Sequence, residues 1–150
     1  MSLKEQINND LKAALLGGDR FKGEVLRGLK SVILDEEVKQ NKRDTGLEDE
    51  VIEQLIAREI KKRGDSATQY EAAGRPELSE TERREAAVIT EYLPAQASAE
   101  EIQAVITKVI AELGVTDASG FGQVIGGVKK ELGNSADGAL IAQLVKNTLQ

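Results

Sequence analysis

The sequence predicts an all-α protein: an N-terminal domain of about four helices over residues 1–94, then a small three-helix domain over residues 95–150. Three observations lead there. Apolar residues recur every third or fourth position along nearly the whole chain, the period that places one stripe on a helix. Ser/Thr-x-x-Glu boxes precede several of these stripes, and Gly or Pro follows them, as expected at helix ends. No segment alternates apolar and polar residues long enough to make a strand.

Taken in order, Ser2 and Glu5 form a capping box that opens the first helix, with Leu3, Ile7, Leu11 and Leu15 as its stripe. Gly17-Gly18 ends it. Asp19 starts a second helix, whose buried side is expected to carry Phe21, Val25, Leu26, Leu29, Val32, Ile33 and Val38. The polar run from Gln40 to Asp44 closes it. Thr45 and Glu48 read as a second box, opening the longest helix along Val51, Ile52, Leu55, Ile56, Ile60, Ala67 and Tyr70. Gly74 stops that helix and Pro76 forbids its continuation. Ser79 and Glu82 read as a third box before Val88, Ile89, Tyr92 and Leu93, and Pro94 ends that run. Residues 94–98 read as a linker. Ser98 and Glu101 then open a helix through Ile102, Val105, Ile106, Val109, Ile110 and Leu113, ended by Gly114. A helix from about Ser119 to Leu132 follows, and the turn Gly133-Asn134-Ser135 leads to a last one along Leu140, Ile141, Leu144, Val145 and Leu149.

Composition narrows the chemistry. The 150 residues hold 20 Lys+Arg against 26 Asp+Glu, a net charge of -6, with neither Cys nor His. Thiolate nucleophiles, imidazole bases, disulfides and ordinary zinc sites therefore cannot be built from this chain alone. Aromatics make up 3%, too few for a platform that stacks single-stranded bases. No apolar run reaches the roughly 18 residues of a spanning helix, and the first residues lack a signal-peptide core. A cytoplasmic protein is expected, with no membrane, metal or cofactor.

The positive groups gather in few places. Lys61-Lys62-Arg63, with Arg75 and Arg83-Arg84, is the strongest cluster and could hold a phosphate or an acidic partner. Its plainer reading is a solvated helix face neutralised by Glu59, Asp65 and Glu71. Arg75, between Gly74 and Pro76, could instead clamp the turn by bonding helix-end carbonyls. Ser66 and Lys62 share a helix face, but a Ser-Lys centre also needs a buried lysine and an oxyanion hole. The stretch Gly133 to Gly138 precedes the last helix, where amides and the helix dipole favour an anion; Ser135 or Asp137 acting as a simple cap is the plainer reading. Gly122, Gly126 and Gly127 lack the context of a nucleotide loop and suit close helix packing. The carboxylate runs Asp35-Glu36-Glu37 and Glu48-Asp49-Glu50 are spread around their helices and suit solvent, not a cation.

Three segments together carry a family resemblance: Lys61 to Arg75 (KKRGDSATQYEAAGR), Glu91 to Gln96 (EYLPAQ) with the Ser98 cap, and Phe121 to Gly126 (FGQVIG) with Ala136 to Ile141 (ADGALI). Over essentially all its length the chain resembles the YqeY-like proteins of the GatB/YqeY family. The resemblance implies an all-helical N-terminal domain and a C-terminal part similar to the tail domain of the aspartyl/glutamyl-tRNA amidotransferase B subunit. It also implies a helical binding module, not catalytic alone, that contacts tRNA or a tRNA-amidotransferase-like protein. The family is often labelled a carbon-nitrogen ligase with glutamine as amido-N-donor. On this reading Lys129 and Lys130, with Asn134, Ser135, Asp137 and Gly138, would meet the nucleic-acid backbone, with Lys61, Lys62, Arg63 and Arg75 as a second basic patch. The alternative is a protein-protein adaptor that binds no nucleic acid. One departure bears on the choice. Where many relatives carry Lys, this chain has Gln123, Glu131 and Ser135, and each cation lost weakens the salt-dependent part of backbone binding.

Overall fold

A computed structural model describes residues 1–150. All regular structure is helical: α1 (Leu3–Leu16), α2 (Arg20–Lys39), α3 (Asp49–Ala72), α4 (Pro76–Thr90), α5 (Ala99–Leu113), α6 (Phe121–Leu132) and α7 (Gly138–Leu149). Single 3-10 turns at Ala118–Gly120 and Gly133–Ser135 flank α6. The chain forms two compact units, Met1–Leu93 and Pro94–Gln150.

In the first unit the helices pack chiefly as two hairpins, α1 with α2 and α3 with α4. The expected stripes make the core: Ile7, Leu26, Ile52 and Ile56 are at most 1% exposed, each burial stabilising by about 1.5–3 kcal/mol. Two stripes drift from expectation. Leu15 is half exposed and Ala14 is buried in its place. At 3.6 residues per turn, a position twelve beyond Leu3 lies about 120° round the helix, whereas the eleventh returns to within about 20°. Leu15 instead lies over Gly23, whose missing Cβ would sit 3.0 Å from its Cδ2. On α2, Val38 is exposed and Glu37 is buried. Val38 follows Leu29 by two and a half turns, while Glu37 follows Leu26 by just over three whole ones.

Two of the expected boxes are not caps. Thr45 sits in a turn, and α3 starts at Asp49 after Glu48, which makes no side-chain cap bond. α4 starts at Pro76, one turn before Ser79; the ring suits the first helical position, where no amide donor is needed. Ser79 is thereby buried, and its hydroxyl donates to Glu71 at 3.0 Å. The boxes at Ser2 and Ser98 are complete, with each hydroxyl accepting from the third helical amide and each Glu returning to the cap amide.

In the second unit α5, α6 and α7 enclose Ile102, Ile106, Val109, Val124, Val128, Ile141 and Val145. Gly127 makes the close contact: a Cβ there would lie 2.7 Å from Val109 Cγ1. Residues 94–98, expected as a linker, have no helical structure but are tied into this unit. Gln96 Nε2 donates to the carbonyls of Pro94 (2.9 Å) and Asn134 (3.0 Å), and the Ala97 amide donates to the Ser135 carbonyl at 2.7 Å.

Candidate nucleic-acid interface

The basic cluster of the first unit lies on α3 and at the turn into α4. Most of its charge is already matched. Lys62 reaches Glu59 at 3.5 Å. Arg63 lies between Glu85, its nearer partner, and Glu82 at 3.8 Å; its buried Nε has no hydrogen-bond partner. Arg75 donates through Nε to Glu77 at 2.8 Å, so it holds a carboxylate and not the helix-end carbonyls. Arg83 bonds Glu71 at 2.9 Å, and Arg84 stacks its guanidinium 4.4 Å above the Phe21 ring. Arg83 and Ser79 hold the Glu71 carboxyl below the usual carboxylate range. Lys61 is exposed and forms no ion pair. A phosphate here would have to compete with carboxylates for nearly every donor. The Ser66-Lys62 pair offers no nucleophilic centre, because the Lys62 side chain is 74% exposed.

The second unit presents its cations differently. Lys129 and Lys130 occupy the last turn of α6, exposed and outside any ion pair. The Lys129 ammonium comes close to the first turn of α7: a Cβ on Gly138 would lie 3.5 Å from its Nζ. Asp137 caps α7 by accepting from the Ala139 amide at 3.4 Å. The Ser135 hydroxyl donates to the Leu132 carbonyl at 2.5 Å, which closes the turn after α6. Asn134 accepts from Gln96 through its carbonyl. Of the six residues expected at this site, the structure brings Lys129 and Gly138 together and uses Asn134, Ser135 and Asp137 to build the turn. Glu131, at a position where relatives often have Lys, pairs with Lys108 at 2.9 Å. That hydrogen bond and the charges of Glu131 and Glu112 raise the Lys108 pKa. Lys129, Lys130 and Lys146 are then the unpaired cations of this unit. Gly122 and Gly126 lie on α6 with no side chain within 4 Å of where a Cβ would be, so bare helix backbone borders the two lysines.

Residues 4–149, both units together, match the family of Yqey-like proteins. The chain belongs to that family. Two relatives are named Altered inheritance of mitochondria protein 41, mitochondrial. That of Kluyveromyces lactis is 29% identical over 115 residues, covering 75% of the YqeY-like chain and 61% of the relative; that of Clavispora lusitaniae is 28% identical over 121 residues, covering 79% and 68%. The chain thus spans less than two thirds of the Kluyveromyces protein's length. No helix of the YqeY-like chain is long and apolar enough to cross a membrane.

One site escaped the sequence reading. Glu37, grouped with a solvated carboxylate run, turns inward and is 1% exposed. Lys4 donates to it at 2.6 Å and Arg43 at 3.2 Å. The signal was available in its phase: Glu37 continues the Leu26 and Ile33 stripe, and a carboxylate in a buried stripe demands cations. Which cations would reach it depended on the loop after α2, whose shape the sequence pattern does not give.

Proposed function

We propose that this YqeY-like chain is a non-catalytic helical binding module whose second unit contacts the backbone of tRNA, free or within a tRNA-amidotransferase-type complex. The observation that carries the reading is the pair Lys129 and Lys130, exposed and unpaired at the end of α6 near the bare backbone of Gly122 and Gly126, with Lys129 beside the first turn of α7. Phosphates are held by such free cations, and backbone amides without side chains let the strand come close. The basic cluster of the first unit is a poorer candidate, since Lys62, Arg63 and Arg75 each face a glutamate. The non-catalytic part rests on a chain without Cys or His and on the exposed Lys62. The carbon-nitrogen ligase label then belongs to the amide-transfer enzymes that carry a similar tail. A cytoplasmic location is part of the proposal, and a fluorescent fusion in the source cell checks it against the mitochondrial designation of the two relatives.

The decisive experiment is a tRNA shift assay at low and at physiological salt. Three unpaired tail cations predict weak, strongly salt-dependent binding. Lys129→Ala and Lys130→Ala should each reduce the slope of log K against log salt by about 1. Failure to bind even at low salt removes the reading. The adaptor alternative then stands, favoured by the net charge of -6 and the few unpaired cations of the second unit.

A further inference from the structure

We propose that the α1–α2 hairpin carries a docking groove for an acidic amphipathic segment of a partner protein. The groove encloses about 310 Å³. Its floor is apolar, from Ile7, Ile33 and Leu34, and its walls carry Lys4, Lys30 and Arg43. The one carboxylate in it, Glu37, lies at the base and takes one donor from Lys4 and one from Arg43. An ammonium has three donors and a guanidinium five, so both keep donors to spare. Lys30 has no ion pair. The groove therefore holds three cations against one carboxylate, in a chain whose net charge is -6.

The apolar floor continues outside the groove. Leu34 and Val38 are 38% and 61% exposed and lie one turn apart along α2, with exposed Arg27 extending the basic side. A lone anion would use the cations and leave this apolar row in water. A nucleic-acid strand would do the same, and no aromatic side chain lines the groove for a base to stack on. A helix with leucines on one face and glutamates beside them satisfies both at once: apolar side chains over Leu34 and Val38, carboxylates on Lys4, Lys30 and Arg43. The inference concerns the first unit and does not rest on the RNA reading of the second.

The test is a titration of the full-length, nitrogen-15-labelled chain, followed by amide chemical shifts. The probes are a synthetic Leu/Glu amphipathic peptide of about five helical turns, its Leu/Lys counterpart, inorganic phosphate and tRNA. The Leu/Glu peptide should move amides in residues 4–8, 30–38 and 43. Lys30→Glu and Leu34→Ser, both at exposed positions, should each weaken it roughly fivefold or more. Lys146→Glu, the same charge change on α7, should leave it unaltered. The proposal is overturned if the Leu/Glu peptide moves none of these amides or if the Leu/Lys peptide binds equally well. It also fails if phosphate or tRNA occupies the groove as tightly as the acidic peptide, or if neither variant weakens binding.

Discussion

Replacing Lys4 by Met tests how the first unit tolerates a carboxylate in its interior. Met keeps the apolar stem and removes the charged donor, so the change isolates the bond to Glu37 at 2.6 Å. Breaking a buried pair that is sealed from water costs about 3–5 kcal/mol, because a charge is stranded. Here Lys4 is 32% exposed and Arg43 remains bound at 3.2 Å. Water and a second cation relieve the stranded oxygen, which brings the cost down to that of an unsatisfied polar group, about 1–3 kcal/mol. A loss of about 2 kcal/mol corresponds to roughly 8–16 °C in the melting temperature of a cooperative unit this size. Adding Glu37→Leu to Lys4→Met removes the stranded charge as well and should recover most of the loss. Arg43, 56% exposed, is then released to solvent at little cost. The assay is urea unfolding followed by circular dichroism at neutral pH. A Lys4→Met protein within about 0.5 kcal/mol of the parent would refute the argument, as would a double variant less stable than Lys4→Met alone.

Three further outcomes are expected. Burial, then the 2.5 Å hydrogen bond to Asp10 and its charge, raises the pKa of the Tyr92 phenol above its ordinary value of 10.0. The folded state thus keeps this proton longer than the unfolded one; its contribution is complete below about pH 10 and fades as pH rises towards the folded value. Tyr92→Phe should cost about 1–2 kcal/mol at neutral pH and flatten the alkaline decline, both read from urea midpoints across pH. On α6, Gly127→Ala forces a methyl against Val109 and should destabilise by about 1–3 kcal/mol, whereas Gly126→Ala meets open space and should stabilise by up to about 1 kcal/mol; thermal melts of the two variants check the contrast. The depressed Glu71 pKa means that its stabilisation is present above the ordinary value of 4.5 and lost as pH falls through the lower folded value. Ser79→Ala should shrink that acid-sensitive part, seen as a shallower acid limb in the unfolding midpoint.

Legibility followed the physics of each feature. The apolar stripes gave seven helices because burial enforces the period, and glycines 74 and 114 mark ends because both take a positive φ. The boxes were ambiguous because a hydroxyl three residues before a Glu is also common inside helices. Ser79 fell inside because Pro76 had already begun the helix. A stripe read in steps of four overshoots, which misplaced Leu15. On α2 the apolar side chain of Val38 assigns it to the stripe although the step of four from Ile33 falls on Glu37, and that concealed the buried carboxylate. The lysines of the second unit were readable as residues. That Lys129 and Lys130 are free while Lys108 is taken by Glu131 depends on how α5 and α6 face each other, which no linear pattern carries.

The ion pairs joining α3 to α4 also constrain how that hairpin can assemble. Glu85 meets Arg63, and Arg83 meets Glu71. If α4 slid by one turn, Glu85 would oppose either Glu59, which repels it, or Ala67, which offers no counter-ion and would bury the carboxylate. Neighbouring alignments of two otherwise similar amphipathic helices are thus penalised even though their apolar faces would still meet. The charged seam selects one alignment among several that hydrophobic contact alone would tolerate.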